Sequence, residues 1–281
     1  MKKIKIGLGQ LLVEGGEPER NLQRAKELIE EASKNKCDLI LLPECLDFGW
    51  THPSSIEEAK TIPGKFSDFL CEQAKNNKIY ICAGLTEKDL KNNKNYNSAI
   101  LIDKNGRILS KYRKINILEK AFEFYDIGNK LEVIDTEFGK IGLNICSDNY
   151  FDAIDIGFVL GRMGANIILS PSSWTVEYSV TEEMDPYKNK WIDQFKAISK
   201  IFGIPVISTT SVGYIVGGPF EGKKMVGCSL ATDENGLLVK GDFNEFASDL
   251  KFVEVTIKDV EIKGTQVGKN LIKEGYLNWK K

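Results

Sequence analysis

Predicted strands and helices alternate along this chain of 281 residues, but hairpins interrupt the alternation. Strand-like patterns occur at 3–11, 38–42 and 79–85, helical apolar spacing at 21–34 and 67–76, and a strand–turn–strand pattern at 97–112. The second half adds strands at 140–146, 165–170, 204–210, 226–231, 237–240 and 252–257, and helices at 152–163 and 188–202. A purely parallel, doubly wound sheet needs no hairpins, so this order predicts an α/β fold of two mixed sheets packed face to face with helices outside.

The charge balance and the apolar pattern narrow the class of protein. Lys and Arg number 38 against 40 Asp and Glu, a net charge of −2, which argues against a protein that mainly binds nucleic acid or an anionic membrane. No apolar run approaches the ~18 residues of a membrane span, and the N-terminus lacks the features of a cleavable signal. Because no linker or repeat is visible, we expect a single domain over residues 1–281.

The chain contains one histidine, His52, which limits the catalytic machinery available to it. A zinc site with several histidine ligands is excluded, and a Ser–His or Cys–His hydrolase would have to use His52, whose WTHPSS context favours a loop residue. The six cysteines contain no C-x-x-C pair and lie in apolar segments. We therefore expect reduced thiols in a cytoplasmic protein, with neither a disulfide framework nor a zinc ribbon.

Three chemically reactive residues follow predicted strands in the same way. Glu44 follows a buried strand in DLILLPEC, Lys114 follows a hairpin strand in ILSKYRKINIL, and Cys146 ends a strand in KIGLNICSDNYF. In α/β folds, loops at the carboxyl ends of strands share one crevice, so these side chains can meet there. Each residue alone is weak evidence, because a buried cysteine is usually a small core residue and a charge at a strand end is usually solvated.

Together, the three residues suit nucleophilic catalysis without histidine. A thiol on a sharp strand-to-helix turn is exposed, and the nearby amides can lower its pKa and bind an oxyanion. A carboxylate in an apolar site can accept the thiol proton, and a lysine can stabilise the tetrahedral oxyanion.

These segments resemble the nitrilase superfamily, the carbon–nitrogen hydrolases. The resemblance is carried by LLPE with Glu44, by KYRK with Lys114 and by Cys146-Ser147-Asp148, with support from GANIILSPSSW and VGCSLATDENG. It spans roughly residues 3 to 257 in the expected order. It implies a four-layer α-β-β-α sandwich, a Glu-Lys-Cys triad, and homodimers or larger homo-oligomers.

The resemblance also implies a mechanism. Cys146 would attack an amide or nitrile carbon while Glu44 takes the thiol proton, and Lys114 would stabilise the intermediate together with the backbone N–H of Ser147. Water activated by Glu44 would then hydrolyse the acyl-enzyme, so no metal or organic cofactor is required.

Many members of the family carry a second glutamate, seven residues before a glycine. Here that count from Gly128 gives Ala121, which is flanked by Glu119 and Glu123. An insertion of two residues restores Glu119, whose Glu-Lys-x-Phe context looks closer to the family pattern. We expect Glu119 to orient Lys114 and the attacking water, with Glu123 as the alternative.

The substrate side of the site is less defined. We expect Tyr150 and Trp174 to line the pocket, and Phe48 to line its entrance. Many amidase-like members carry an arginine where Tyr150 stands, and its replacement weakens an assignment to carbamoyl amino acids. The Asn149-Tyr150 pair is similar to true nitrilases, but the preceding Ser147-Asp148 is not, so the branch stays open.

The favoured function is hydrolysis of the non-peptide C–N bond of a small amide, with release of ammonia. A nitrilase or an N-carbamoyl amine hydrolase is the alternative within the family. A non-catalytic binding subunit with the same fold would not need to keep Glu44, Lys114 and Cys146 together. A redox-sensing thiol protein would pair Cys146 with a resolving cysteine such as Cys45.

Overall fold

The computed structural model describes residues 2–184 and 191–259, and two six-stranded sheets form their framework. The first sheet has the order β15 (Asp249–Ile257), β1 (Lys2–Gln10), β2 (Leu39–Leu41), β3 (Tyr80–Asp89), β4 (Lys94–Ile102) and β5 (Ile108–Arg113). Strands β1, β2 and β3 are parallel to one another, whereas β15, β4 and β5 pair antiparallel with their neighbours. The sheet is therefore mixed, as predicted.

The second sheet repeats this arrangement. Its order is β14 (Gly236–Lys240), β13 (Leu230–Asp233), β10 (Val206–Thr210), β8 (Ile167–Ser172), β7 (Gly139–Leu143) and β6 (Val133–Thr136). Its three central strands, β7, β8 and β10, are parallel. A smaller sheet joins β11 (Val212–Tyr214), β12 (Lys224–Val226) and β9 (Thr175–Val176).

Helices cover the outer faces of both large sheets. The helices are α1 (Pro18–Lys34), α2 (Ser55–Glu58), α3 (Lys65–Asn77), α4 (Asp155–Arg162) and α5 (Asp193–Phe202). Helices α1 and α3 pack on the first sheet, and α4 and α5 pack on the second. This confirms the four-layer α-β-β-α sandwich. No helix in the described ranges is both long and apolar enough to cross a membrane.

Strand alternation divides the apolar side chains between two cores. On β2, Leu39 and Leu41 face the space between the sheets, whereas Ile40 faces the helices. Strand β4 divides in the same way, with Leu101 between the sheets and Ile100 toward the helices. Polar side chains at the strand ends on the inner face are therefore enclosed by both sheets.

The predicted strand at 226–231 is wrong as a single element. Gly227 and Cys228 have φ values of 71° and 63°, in the left-handed region, so the extended run breaks there. The chain leaves the small sheet after β12 and enters the second large sheet at β13. The predicted strand at 140–146 likewise ends at Leu143, and Cys146 opens a 3-10 turn, Cys146–Asn149. The start of the predicted helix at 188–202 lies outside the described residues.

Gly84 on β3 lets the segment that carries Glu44 lie directly on the sheet. Its N–H donates to Pro43 O at 2.9 Å, and a Cβ at this position would lie 2.5 Å from Glu44 Cα. We predict that Gly84→Ala lowers the free energy of unfolding by about 1–3 kcal/mol, because the backbone must shift to admit the methyl group. Chemical denaturation measures this.

The matched control is Gly7→Ala on β1, where the nearest neighbour is the flexible end of Leu250 at 3.2 Å. A smaller loss is expected there, and equal losses for the two variants would contradict the prediction.

Candidate active site

The structure brings Glu44, Lys114 and Cys146 together at the carboxyl ends of β2, β5 and β7. Lys114 Nζ donates to Glu44 Oε1 at 2.7 Å, and the two residues are only 2% and 1% exposed. The charges of both act on the Cys146 thiol, which is also buried. The Glu44 N–H donates to Ser172 O on β8 at 3.2 Å, so this residue is attached to both sheets.

The two oxygens of the Glu44 carboxylate have different surroundings. Oε1 accepts from Lys114 Nζ and from Asn97 Nδ2, the latter at 2.6 Å. Oε2 is buried and has no hydrogen-bond partner in the described part of the chain. The second oxygen is thus the one available to receive a proton.

Cys146 is held as a neutral thiol. Burial raises the pKa of Cys146, and the negative charge of Glu44 raises it further, whereas Lys114 and the N–H of Ser173 lower it. The sequence analysis expected the turn amides to lower this pKa. Burial beside a carboxylate outweighs them, so Cys146 needs a base to become nucleophilic.

Lys114 is held in its charged form. Burial opposes the charge, but the negative charge of Glu44, with smaller contributions from Cys146 and Asp148, outweighs burial and raises the pKa of Lys114. The site therefore keeps a fixed cation beside the thiol across the working pH range.

Asp148 anchors the turn that carries Cys146. Cys146 has a φ of 47°, an unfavourable conformation for a residue with a Cβ. The Asp148 carboxylate accepts the N–H groups of Ile145 and Asn116 and the hydroxyl of Tyr112, each at 2.8 Å. Burial raises the pKa of Asp148, but these three donors satisfy its oxygens.

Asn149 makes a second anchor that the sequence analysis did not assign. Its Nδ2 donates to Ser170 Oγ at 2.9 Å and to Cys146 O at 3.2 Å, and its Oδ1 accepts from Asn144 at 2.7 Å. These buried bonds tie the turn to β8. The sequence signal that could have indicated this anchor is an asparagine three residues after Cys146.

The side chain of Ser147 is directed into the protein rather than the pocket. Its Oγ donates to Asn116 O at 2.7 Å, and Asn116 Nδ2 donates to Ser147 O at 2.6 Å. Only the backbone N–H, at the start of the 3-10 turn, can serve the oxyanion, so its part in binding stays a prediction.

Aromatic residues form a wall beside the triad. Trp174 and Trp191 stack with centroids 4.4 Å apart and planes at 14°, and Tyr150 lies 5.0 Å from Trp191. Burial raises the pKa of the Tyr150 hydroxyl, and Cys146, Lys114 and Glu44 lie close enough to affect that pKa, so the wall lies beside these three residues. Trp191 joins Tyr150 and Trp174 in this wall from the segment that leads into α5, and contact of these residues with a substrate stays a prediction.

Phe48 does not lie at the pocket entrance. It is fully buried in the core beneath α1 and α3, where it packs edge-on against Phe66 at 5.6 Å. Cys45, with a φ of 46°, turns the chain after Glu44 and directs the following residues to the outer side of the first sheet. Trp50 is buried there too, 4.4 Å from Phe220, so these aromatics belong to the core.

Glu119 and Glu123 are both exposed, at and after a 3-10 turn, Glu119–Ala121. Among the residues described, no hydrogen bond or ion pair joins either glutamate to Lys114 or Glu44. The structure does not bring Glu119 to the triad, and the additional polar group on Glu44 is Asn97. His52 lies elsewhere, with Nδ1 2.9 Å from Ser54 Oγ.

No group of three His, Cys, Asp or Glu side chains within 2–184 and 191–259 is arranged to hold a metal ion. The described residues of the site are instead a thiol, a carboxylate, an ammonium group and backbone amides. This set suits acyl transfer by a nucleophile with a neighbouring base and a fixed cation.

We predict that Glu44→Gln makes Cys146 easier to alkylate near neutral pH. The Glu44 charge raises the pKa of the thiol, so its removal shifts the midpoint of alkylation toward lower pH by about one unit. Iodoacetamide labelling of Cys146 across a pH series, read by mass spectrometry, measures the midpoint.

Cys71 on α3 is an internal reference, because burial raises its pKa to about 11 away from the triad. Its labelling should be the same in both proteins, and a Cys146 midpoint that stays or rises would contradict the assignment of Glu44.

Known proteins resemble this chain in sequence and in fold. The family model described as carbon-nitrogen hydrolase matches residues 5–262. The chain is 34% identical to a nitrilase of Pyrococcus abyssi over 181 residues, covering 63% of this chain and 67% of that one. It is 31% identical to the omega-amidase NIT3 of Saccharomyces cerevisiae over 191 residues, covering 62% and 64%.

The fold is similar to the crystal structure of a carbon-nitrogen hydrolase from Helicobacter pylori, with a TM-score of 0.80 at 21% identity, over 98% of this chain and 94% of that one. The aligned part of this chain spans about two thirds of the length of the two relatives compared by sequence. With the family model matching most of its length, this chain belongs to the carbon–nitrogen hydrolase family.

Proposed function

We propose that this chain hydrolyses the C–N bond of a small amide through an acyl-enzyme on Cys146 and releases ammonia. The observation that carries the proposal is the buried Glu44–Lys114 pair beside Cys146, in which Glu44 Oε2 is left without a partner among the described residues. A base, a cation and a nucleophile are thus held in one desolvated site.

The first half-reaction forms a thioester. As Sγ of Cys146 attacks the amide carbon, Glu44 Oε2 takes the thiol proton and the carbonyl oxygen becomes an oxyanion. Lys114 Nζ stabilises this oxyanion with the N–H of Ser147. Glu44 then gives its proton to the nitrogen, the C–N bond breaks, and ammonia leaves.

The second half-reaction consumes water. Glu44 Oε2 takes a proton from water as the oxygen attacks the thioester carbon, and Lys114 again stabilises the oxyanion. The C–S bond breaks, the thiolate recovers the proton from Glu44, and the carboxylic acid departs. The balance is one amide and one water giving one acid and one ammonia.

The aromatic wall supports a substrate with an uncharged acyl group. Tyr150, Trp174 and Trp191 present ring faces and edges next to the nucleophile. Tyr150 stands where many amidase-like members carry an arginine for a carboxylate, so an amide with a short apolar chain suits the described site better than a carbamoyl amino acid. Two relatives are named omega-amidase and nitrilase, so nitriles are the second substrate class.

We also propose a cytoplasmic homo-oligomer. All six cysteines are free thiols, which suits a reducing compartment. Four apolar side chains are exposed on and around α4 and α5, and a second copy could cover them: Phe151, Val159, Met163 and Ile201.

Ammonia release is expected from purified protein given small amides, and Cys146→Ala should reduce it more than about 10³-fold by removing the nucleophile. The panel includes amides, ureido acids, and aliphatic and aromatic nitriles. Cys71→Ser, which changes a thiol away from the site, should retain full activity. Release that survives in Cys146→Ala, or no release from any class, would contradict the proposal.

Trp191→Leu is expected to raise KM for a short-chain amide by about 3- to 10-fold with a smaller effect on kcat, because an aromatic contact of the acyl chain is lost. Steady-state kinetics on the best amide of the panel measures this. Trp50→Leu is the matched control in the helix-facing core, and it should lower stability and leave KM unchanged. An unchanged KM in Trp191→Leu would remove this residue from the pocket.

A further inference from the structure

Asn97 is a buried amide in the apolar space between the two sheets. It lies on β4, where alternation places it on the same face as Ala99 and Leu101, toward the second sheet. It is 1% exposed. A polar side chain in such a place is retained only where its hydrogen bonds are satisfied or put to use.

Asn97 contacts both members of the ion pair. Its Nδ2 donates to Glu44 Oε1 at 2.6 Å, and its backbone carbonyl accepts the Lys114 N–H at 2.8 Å. Lys114 Nζ donates to the same Oε1 at 2.7 Å. One strand residue therefore fixes the side chain of the base and the backbone of the cation, and closes a ring of contacts through all three residues.

The orientation of the amide follows from charge. If the Asn97 amide were reversed, its Oδ1 would face the Glu44 carboxylate, which is repulsive, so Nδ2 must be the group on Oε1. With two donors on Oε1 and no described hydrogen-bond partner on Oε2, Oε2 is the oxygen with lone pairs available for an incoming proton.

We infer that Asn97 is a positioning residue that holds Oε1 of Glu44, so that Oε2 faces the thiol and exchanges its proton. The expected effect of Asn97 on turnover rests on the proposed function, whereas its contact with Glu44 does not. A neutral donor suits the role, because the Glu44–Lys114 pair has no net charge. An acidic side chain would repel Glu44, and a serine hydroxyl would be too short to replace the amide donor.

Asn97→Leu, which keeps the size and removes the donor, should lower kcat about 10- to 100-fold, the range expected for one hydrogen bond to a buried charge. KM should stay within about threefold, because Asn97 acts on the base and not on ground-state binding. Asn97→Asp, with the native shape and an added negative charge, should lower kcat at least as much.

Asn95→Leu is the matched control. Asn95 is buried two residues earlier on β4, and its Nδ2 donates to the backbone oxygens of Ser55 and Ile56, each at 3.0 Å, not to the triad. Its kcat should stay within about threefold of the unmodified protein. An equal loss in Asn95→Leu, or no loss in folded Asn97→Leu and Asn97→Asp, would overturn the inference.

A second readout needs no substrate. Without the Asn97 donor the Glu44 charge is less compensated, so the pH midpoint for alkylation of Cys146 should rise by about half a unit to one unit. In the Glu44→Gln background the same Asn97→Leu change should leave the midpoint unmoved, because the carboxylate through which it acts is absent. Equal shifts in both backgrounds would overturn the inference.

The two readouts separate failure of the inference from failure of the proposed function. If no amide is hydrolysed but the midpoint moves only when Glu44 is present, the positioning role of Asn97 stands and the proposed function fails. If turnover is found and the midpoint does not move in either background, the proposed function stands and the role of Asn97 is overturned.

Discussion

The buried ion pair of Glu44 and Lys114 is the interaction on which the rest of the site depends. Moving each ion out of water costs several kcal/mol, and only a short contact with further hydrogen bonds offsets that cost. Here the contact is 2.7 Å, and Asn97 supplies a second donor. The pair forms only if β2, β4 and β5 keep their register, so the site requires the first sheet to be correctly assembled.

The Glu44–Lys114 pair also explains why the proposed reaction can use Cys146 although the pKa of its thiol is raised. Burial favours the neutral thiol of Cys146, so the resting site holds one anion and one cation. In the proposed reaction Glu44 loses its negative charge when it takes the thiol proton from Cys146, and a negative charge appears on the oxyanion. Lys114 lies beside the negative charge in both states. The net charge of the desolvated site does not change, which avoids creating an unpaired charge where it would be most costly.

The sequence analysis grouped Glu44, Lys114 and Cys146 because each lies at the end of a predicted strand whose apolar pattern is clear, and the structure brings the three residues together. The sequence analysis put Phe48 at the pocket entrance and not in the core, because the apolar pattern of a strand does not show in which direction the chain turns after the strand ends. Glu119 matched a motif by an assumed insertion, but its side chain is exposed. Asn97 was read only as the start of a hairpin strand, since its contacts depend on residues distant in sequence.

The apolar pattern does not predict the geometry of the turns, and three of these turns contain a cysteine with a positive φ value. Cys45, Cys146 and Cys228 all have positive φ values, at turns that follow strands. Each such conformation costs about 1–2 kcal/mol in a residue with a Cβ, so it persists only where surrounding contacts fix it. After Glu44 the turn directs the carboxylate between the sheets and Phe48 away from them, and at Cys146 it presents the thiol while Asp148 and Asn149 hold the backbone. The proposed chemistry therefore depends on two strained turns between the two sheets, each held by buried polar contacts.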